Sequence, residues 1–157
     1  MFRKTMLLLV LVASAFMVGC ATVPMATDEE DSARKEFAPP PEESAGLYVY
    51  RNSSFGGALK KSVYIDGKLI GESAPMTYFY LVVTPGEHVL STESEFSDNS
   101  LEVTLQGGKN HFVRQYIKLG VFVGGANLEQ VSEQEGREGV WPVRRAGACS
   151  PLWQCPS

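Results

Sequence analysis

Between residues 46 and 119 the chain alternates short apolar runs with pairs of turn-forming residues, and this spacing constrains the fold more than any other feature. Runs rich in Val, Ile, Tyr and Phe, broken at Asp66-Gly67, Pro85-Gly86 and Gly107-Gly108, are too short for helices and read as strands. Residues 46–51 open as one. Asp66-Gly67 predicts a two-residue type I′ hairpin between 62–65 and 68–71, because both residues tolerate positive φ. Residues 77–83 are apolar without alternation, as in a central strand covered on both faces. Beyond Pro85-Gly86, residues 88–94 are expected to pair with 101–106, where Leu101, Val103 and Leu105 alternate with Glu102, Thr104 and Gln106. Residues 111–119 place Val113, Ile117 and Leu119 on one face and Phe112 and Tyr116 on the other, so both faces need some cover. Residues 128–132 fit either a last strand or the start of a helix, and 133–139 a short helix or turn. The expected domain is all-β, a small antiparallel β-sandwich over 46–140, with a tail over 141–157.

The start of the chain obeys different rules. Phe2-Arg3-Lys4 is positive, Met6 to Val18 carries no charge, and Gly19-Cys20 follows at once. A membrane span needs about 20 apolar residues, so 1–19 reads as a signal peptide rather than an anchor, and no later segment spans. Gly19-Cys20 resembles the bacterial lipobox, with Met17 where Leu is usual. The resemblance implies cleavage before Cys20, diacylation of its thiol by palmitate-type chains, and acylation of the new amine. Two or three chains, at about 0.8 kcal/mol per buried CH₂, hold a protein on a bilayer far better than one. Ala21, where an Asp would resemble an inner-membrane retention signal, implies the outer membrane of a Gram-negative cell, with the protein facing the periplasm.

From Cys20 to Ala45 no hydrophobic period is visible. Asp28-Glu29-Glu30-Asp31 and Pro39-Pro40-Pro41-Glu42-Glu43 give the composition of a solvated, disordered linker over 20–45. Such a coil would reach about 25–30 Å from the lipid. Removing Arg3 and Lys4 with the leader takes the formal charge further negative than the −4 of the whole chain, which argues against a nucleic-acid partner.

Leu47-Tyr48-Val49-Tyr50-Arg51, Val63-Tyr64-Ile65-Asp66-Gly67 with Ile70-Gly71, Thr77-Tyr78-Phe79, Pro85-Gly86-Glu87-His88 and Gly108-Lys109 with Val113-Arg114 resemble the small bacterial lipoproteins grouped as domain of unknown function 2846. The portion from Asp66-Gly67 to His88 is also similar to the PEGA domain, a small β-sandwich. These motifs are turn chemistry, so the resemblance implies a fold and no activity.

Chemistry-bearing residues are few. His88 follows the Pro85-Gly86 turn, where a ring can bond turn carbonyls, and His111 opens a strand after Gly107-Gly108; a structural role is expected for each. Glu93 and Glu95 read as solvated, and the Gly56-Gly57 and Gly124-Gly125 pairs as loops without a phosphate-binding context. With Cys20 acylated, Cys149 and Cys155 remain, and in an oxidising periplasm they can pair, closing a short loop around the tail. Their spacing is not that of a zinc site. Neither a metal nor a cofactor is expected. All six tyrosines fall in predicted strands, and the period of two puts Tyr48 with Tyr50 and Tyr78 with Tyr80 on shared faces. That face reads first as a packing layer, with core positions expected for Tyr48 and Tyr78, and alternatively as a partner or glycan surface. The functional expectation is a non-enzymatic outer-membrane lipoprotein, bound to the membrane through its lipid and serving an unknown envelope protein or glycan as an interaction or accessory module. The alternative is a periplasmic domain that binds a small ligand or glycan.

Overall fold

The structure is a computed structural model and describes residues 21–94, 97–120 and 124–147. The signal peptide, Cys20, and the Cys149 and Cys155 pair lie outside the described residues. Two sheets stack face to face. One holds β1 (Ala45–Arg51), β4 (Thr77–Val83), β7 (Asn110–Lys118), β8 (Gly125–Val131) and the short β9 (Arg144–Arg145), in the order β8-β7-β1-β4-β9. The other holds β2 (Lys61–Ile65), β3 (Lys68–Ser73), β5 (Gly86–Thr92) and β6 (Asn99–Leu105), in the order β3-β2-β5-β6.

Hairpin chemistry is where the turn pairs place it. Ile65 faces Lys68 across the β2–β3 turn, and Asp66 and Gly67 both hold positive φ, 50° and 74°. β5 and β6 pair as expected, while Pro85 leads the chain out of one sheet into the other. β8 is the last long strand and α2 (Glu133–Val140) follows it, capped by Ser132.

Strand direction needs one correction. The first sheet is mixed rather than purely antiparallel, because β1 runs parallel to β7 and β4 parallel to β9. Parallel neighbours need a long connection, and between β1 and β7 the chain builds all four strands of the second sheet, returning once to the first as β4.

All seven residues of β1 are buried, which alternation alone cannot explain. Its odd positions, Leu47 and Val49, point with Phe79 and Val113 into the space between the sheets, against Val63, Ile70, Leu90 and Leu105. Its even positions, Tyr48 and Tyr50, lie beside Tyr80, Tyr78 and Phe112 on the other face, under Phe37, Val140 and Val143. The reading of Tyr48, Tyr50, Tyr78 and Tyr80 as an exposed partner or glycan face is therefore corrected. None of the four is more than 7 % exposed, because residues far along the chain in both directions roof them over.

Part of that roof is the segment expected to be a disordered linker, a second correction. α1 (Asp28–Arg34) begins with a capping box in which Thr27 and Glu30 exchange side-chain and backbone bonds. Its acidic first turn sits at the positive end of the helix dipole. Buried Asp31 accepts from Lys35 Nζ at 2.9 Å and from the Arg145 amide at 2.9 Å. Phe37 then packs against the stacked pair of Tyr48 and Phe112, with ring centroids 5.5 and 5.9 Å away. One aromatic anchor and a short helix leave no hydrophobic period for composition to reveal.

Candidate functional site

The two sheets do not close equally along their β3 and β4 edges. Near Gly71 they meet: a side chain there would lie 2.9 Å from the Phe79 ring. Further along, β3 and β4 splay apart and leave a groove of about 670 Å³. Ile65, Leu69, Leu81 and Val83 give it an apolar floor, and Met25 and Arg145 form part of a wall.

The edge of β4 above this groove is unusual. β9 pairs only with Thr77 and Tyr78, so among the described residues no strand covers the outer edge of 80–83. Val82, on that stretch, is 56 % exposed. An uncovered edge leaves backbone donors and acceptors available to another chain.

His88 closes one end of the groove. Its Nδ1 lies 2.7 Å from Asp66 Oδ2 and its Nε2 2.8 Å from the Thr84 carbonyl. The other Asp66 oxygen accepts from the Val89 amide at 2.9 Å. Both ring nitrogens thus face acceptors, which only an imidazolium satisfies fully. Burial by itself lowers the His88 pKa, but the bonds to Asp66 and Thr84 and the carboxylate charge outweigh it and hold the ring above its ordinary range. For Asp66, burial pushes upward while the Val89 amide and His88 prevail and hold the carboxyl low. The sign follows: the His88 contribution to stability is complete below the unfolded value of about 6.5 and is lost as pH rises through the higher folded value. Melting temperature should accordingly fall by a few degrees between pH 6 and 8.5, consistent with about 0.5–1 kcal/mol for a partly exposed pair. In His88→Gln that slope should vanish; an equal slope in the variant would remove His88 as its source.

His111 is likewise structural. Its Nε2 accepts from the Gln106 amide at 2.8 Å and braces the β6–β7 turn. Glu93, read from the sequence as solvated, accepts from the Ser62 hydroxyl at 2.8 Å. Among the described residues no group of three or more His, Cys, Asp or Glu side chains could hold a metal ion.

Two buried polar features were not read from the sequence. Gln115 reaches from the first sheet into the second, donating to Thr92 Oγ1 at 2.7 Å and pairing with the Ser73 hydroxyl. Arg51 is fully buried and donates to the carbonyls of Leu59 at 2.8 Å and of Phe55 and Gly56 at 2.9 Å. A cation ending a strongly apolar strand was the available signal, since an inward-pointing Arg must find acceptors.

A family model described as a protein of unknown function, DUF2846, matches residues 41–126. The chain belongs to the DUF2846 family. A protein of Haemophilus influenzae, described as uncharacterized, is 56 % identical over 128 residues, covering 82 % of this chain and 76 % of that one. No solved structure matches. The DUF2846 match takes in β1 to β7 and the start of β8, including the β4 edge and the His88 corner. Met25 and Arg145, which wall the groove, lie outside it.

Proposed function

We propose that this DUF2846 protein is a non-enzymatic lipoprotein of the outer membrane that faces the periplasm and engages an envelope partner through an extended peptide laid along β4. The uncovered edge of residues 80–83 above the apolar groove carries the reading. A strand added there would gain main-chain hydrogen bonds from β4, while the floor of Ile65, Leu69 and Leu81 would accept alternate side chains. Two further observations support it. His88 and His111 are both occupied in holding turns, and Gly19-Cys20, which resembles a lipobox, supports Cys20 as the anchor. The PEGA-like reading of the middle portion belongs to the same proposal and rests on its turns.

A small ligand or glycan is the second reading, favoured by the groove volume of about 670 Å³, which lies within the range of small-molecule sites. A photo-crosslinking residue at Val82 in intact cells, with one at the exposed Val89 as control, tests the first. Capture of one protein at Val82 alone, with slowed amide exchange over 80–83 in the purified complex, is expected. Capture that is equal at both positions, or absent at Val82, overturns the peptide reading. A co-purifying small molecule that leaves those amides exchanging freely would favour the second.

A further inference from the structure

The first described residue fixes where the chain enters the domain. The amide of Ala21 donates to the Gly57 carbonyl at 3.1 Å, so the chain is already docked one residue after Cys20. Consecutive Cα atoms are only about 3.8 Å apart. An acyl-bearing Cys20 therefore leaves no slack between the lipid and the loop that joins β1 to β2.

That loop is built to keep a fixed shape. The buried Arg51 guanidinium grips three of its carbonyls, those of Phe55, Gly56 and Leu59, while the Phe55 ring stays 52 % exposed. Beside it lies the end of β7: a side chain at Gly56 would touch Ile117 at 3.2 Å. Just beyond Lys118, the last residue of β7, Leu119 is 86 % exposed. Two large apolar side chains thus project from the end of the sandwich at which the chain enters.

We propose that this end of the sandwich rests directly on the phospholipid surface, with Phe55 and Leu119 entering the headgroup boundary and Arg51 acting as the positioning residue for Phe55. The inference rests on acylation of Cys20. It differs from the tethered arrangement expected from composition, because the lipid holds one defined face down instead of suspending a freely turning domain. Burial of two apolar side chains in the interface then adds to the pull of the acyl chains.

The test uses the full-length, acylated protein in vesicles of phosphatidylethanolamine and phosphatidylglycerol containing brominated lipid. Single tryptophans are introduced by Phe55→Trp, Leu119→Trp or Val89→Trp, with Trp141→Phe and Trp153→Phe in each. Val89 lies away from that end, midway along β5 and beside the β2–β3 turn, where its carbonyl accepts from the Asp66 amide. Quenching several-fold stronger at 55 and 119 than at 89 is expected, and Arg51→Lys should reduce it at 55 while leaving 119 unchanged. Equal or absent quenching at all three positions, in protein that incorporates labelled fatty acid and loses it in Cys20→Ser, overturns the orientation and leaves the lipoprotein reading standing. Failure of the wild-type chain to take up label overturns both.

Discussion

Replacing Gly136 or Gly139 with alanine should lower the melting temperature, although alanine is the better helix former by about 1 kcal/mol. Both glycines are buried and face the sheet, one turn of α2 apart. A Cβ on Gly139 would stand 2.4 Å from the Tyr50 ring, and one on Gly136 would stand 2.3 Å from Phe112 Cβ and 2.1 Å from its Cγ. A ring can tilt, but Phe112 Cβ is fixed to the backbone of a central pair of strands, so Gly136→Ala is the worse of the two. Overpacking costs about 1–3 kcal/mol or more, and the net loss expected for Gly136→Ala is about 2 kcal/mol, a fall of roughly 5–10 °C. Glu138→Ala, on the exposed face of the same helix, should leave the melt nearly unchanged. A rise in melting temperature for Gly136→Ala would mean that α2 does not sit against β7.

Tyr48→Ala should cost about 3–5 kcal/mol, because it removes the ring on which the aromatic layer converges. Tyr80 and Phe112 lie 4.7 and 4.9 Å from it, Phe37 5.5 Å and Tyr78 6.0 Å. Its hydroxyl donates to the Arg34 carbonyl at 2.7 Å, where α1 ends. Burial pushes that phenol far above its ordinary pKa, so it remains a donor throughout the accessible pH range. Tyr48→Phe keeps the packing and loses one hydrogen bond, about 1 kcal/mol. Hydrogen exchange distinguishes the two losses. Tyr48→Phe should speed exchange in 28–35 and leave β1 protected, whereas Tyr48→Ala should weaken both. Unchanged exchange over 28–35 in Tyr48→Phe would detach α1 from the tyrosine layer.

Strands and turns were legible because their signals are local. Asp66-Gly67 states its own backbone geometry, and the even spacing of Leu101, Val103 and Leu105 states which face is wet. Covering residues are not local. Nothing within residues 45–51 or 77–83 says that Phe37 and Val143 will lie across the tyrosines, so the sequence put the packing layer first but left a recognition face open as the alternative. The N-terminal segment was misread because composition outweighed position. Thr27-Asp28-Glu29-Glu30 is a capping box, and a charge run that begins on one belongs at a helix start more readily than in a coil. The uncovered edge of β4 left no mark in the sequence at all, since it exists only because β9 stops after two residues.

The docking of α1 on β9 also sets an order of events for the newly made chain. Asp31 has its backbone partner at Arg145, and Met25 bridges to Ala146, so the earliest part of the domain to emerge is matched to the latest. β1 must wait in the same way, because its neighbours β4 and β7 begin at Thr77 and Asn110. Contacts so distant along the chain form slowly, and strand edges stay open until they do. A polypeptide made from the N-terminus forward therefore has no finished half to store. It must be kept from sticking until nearly all of it has arrived, and then it closes as one body.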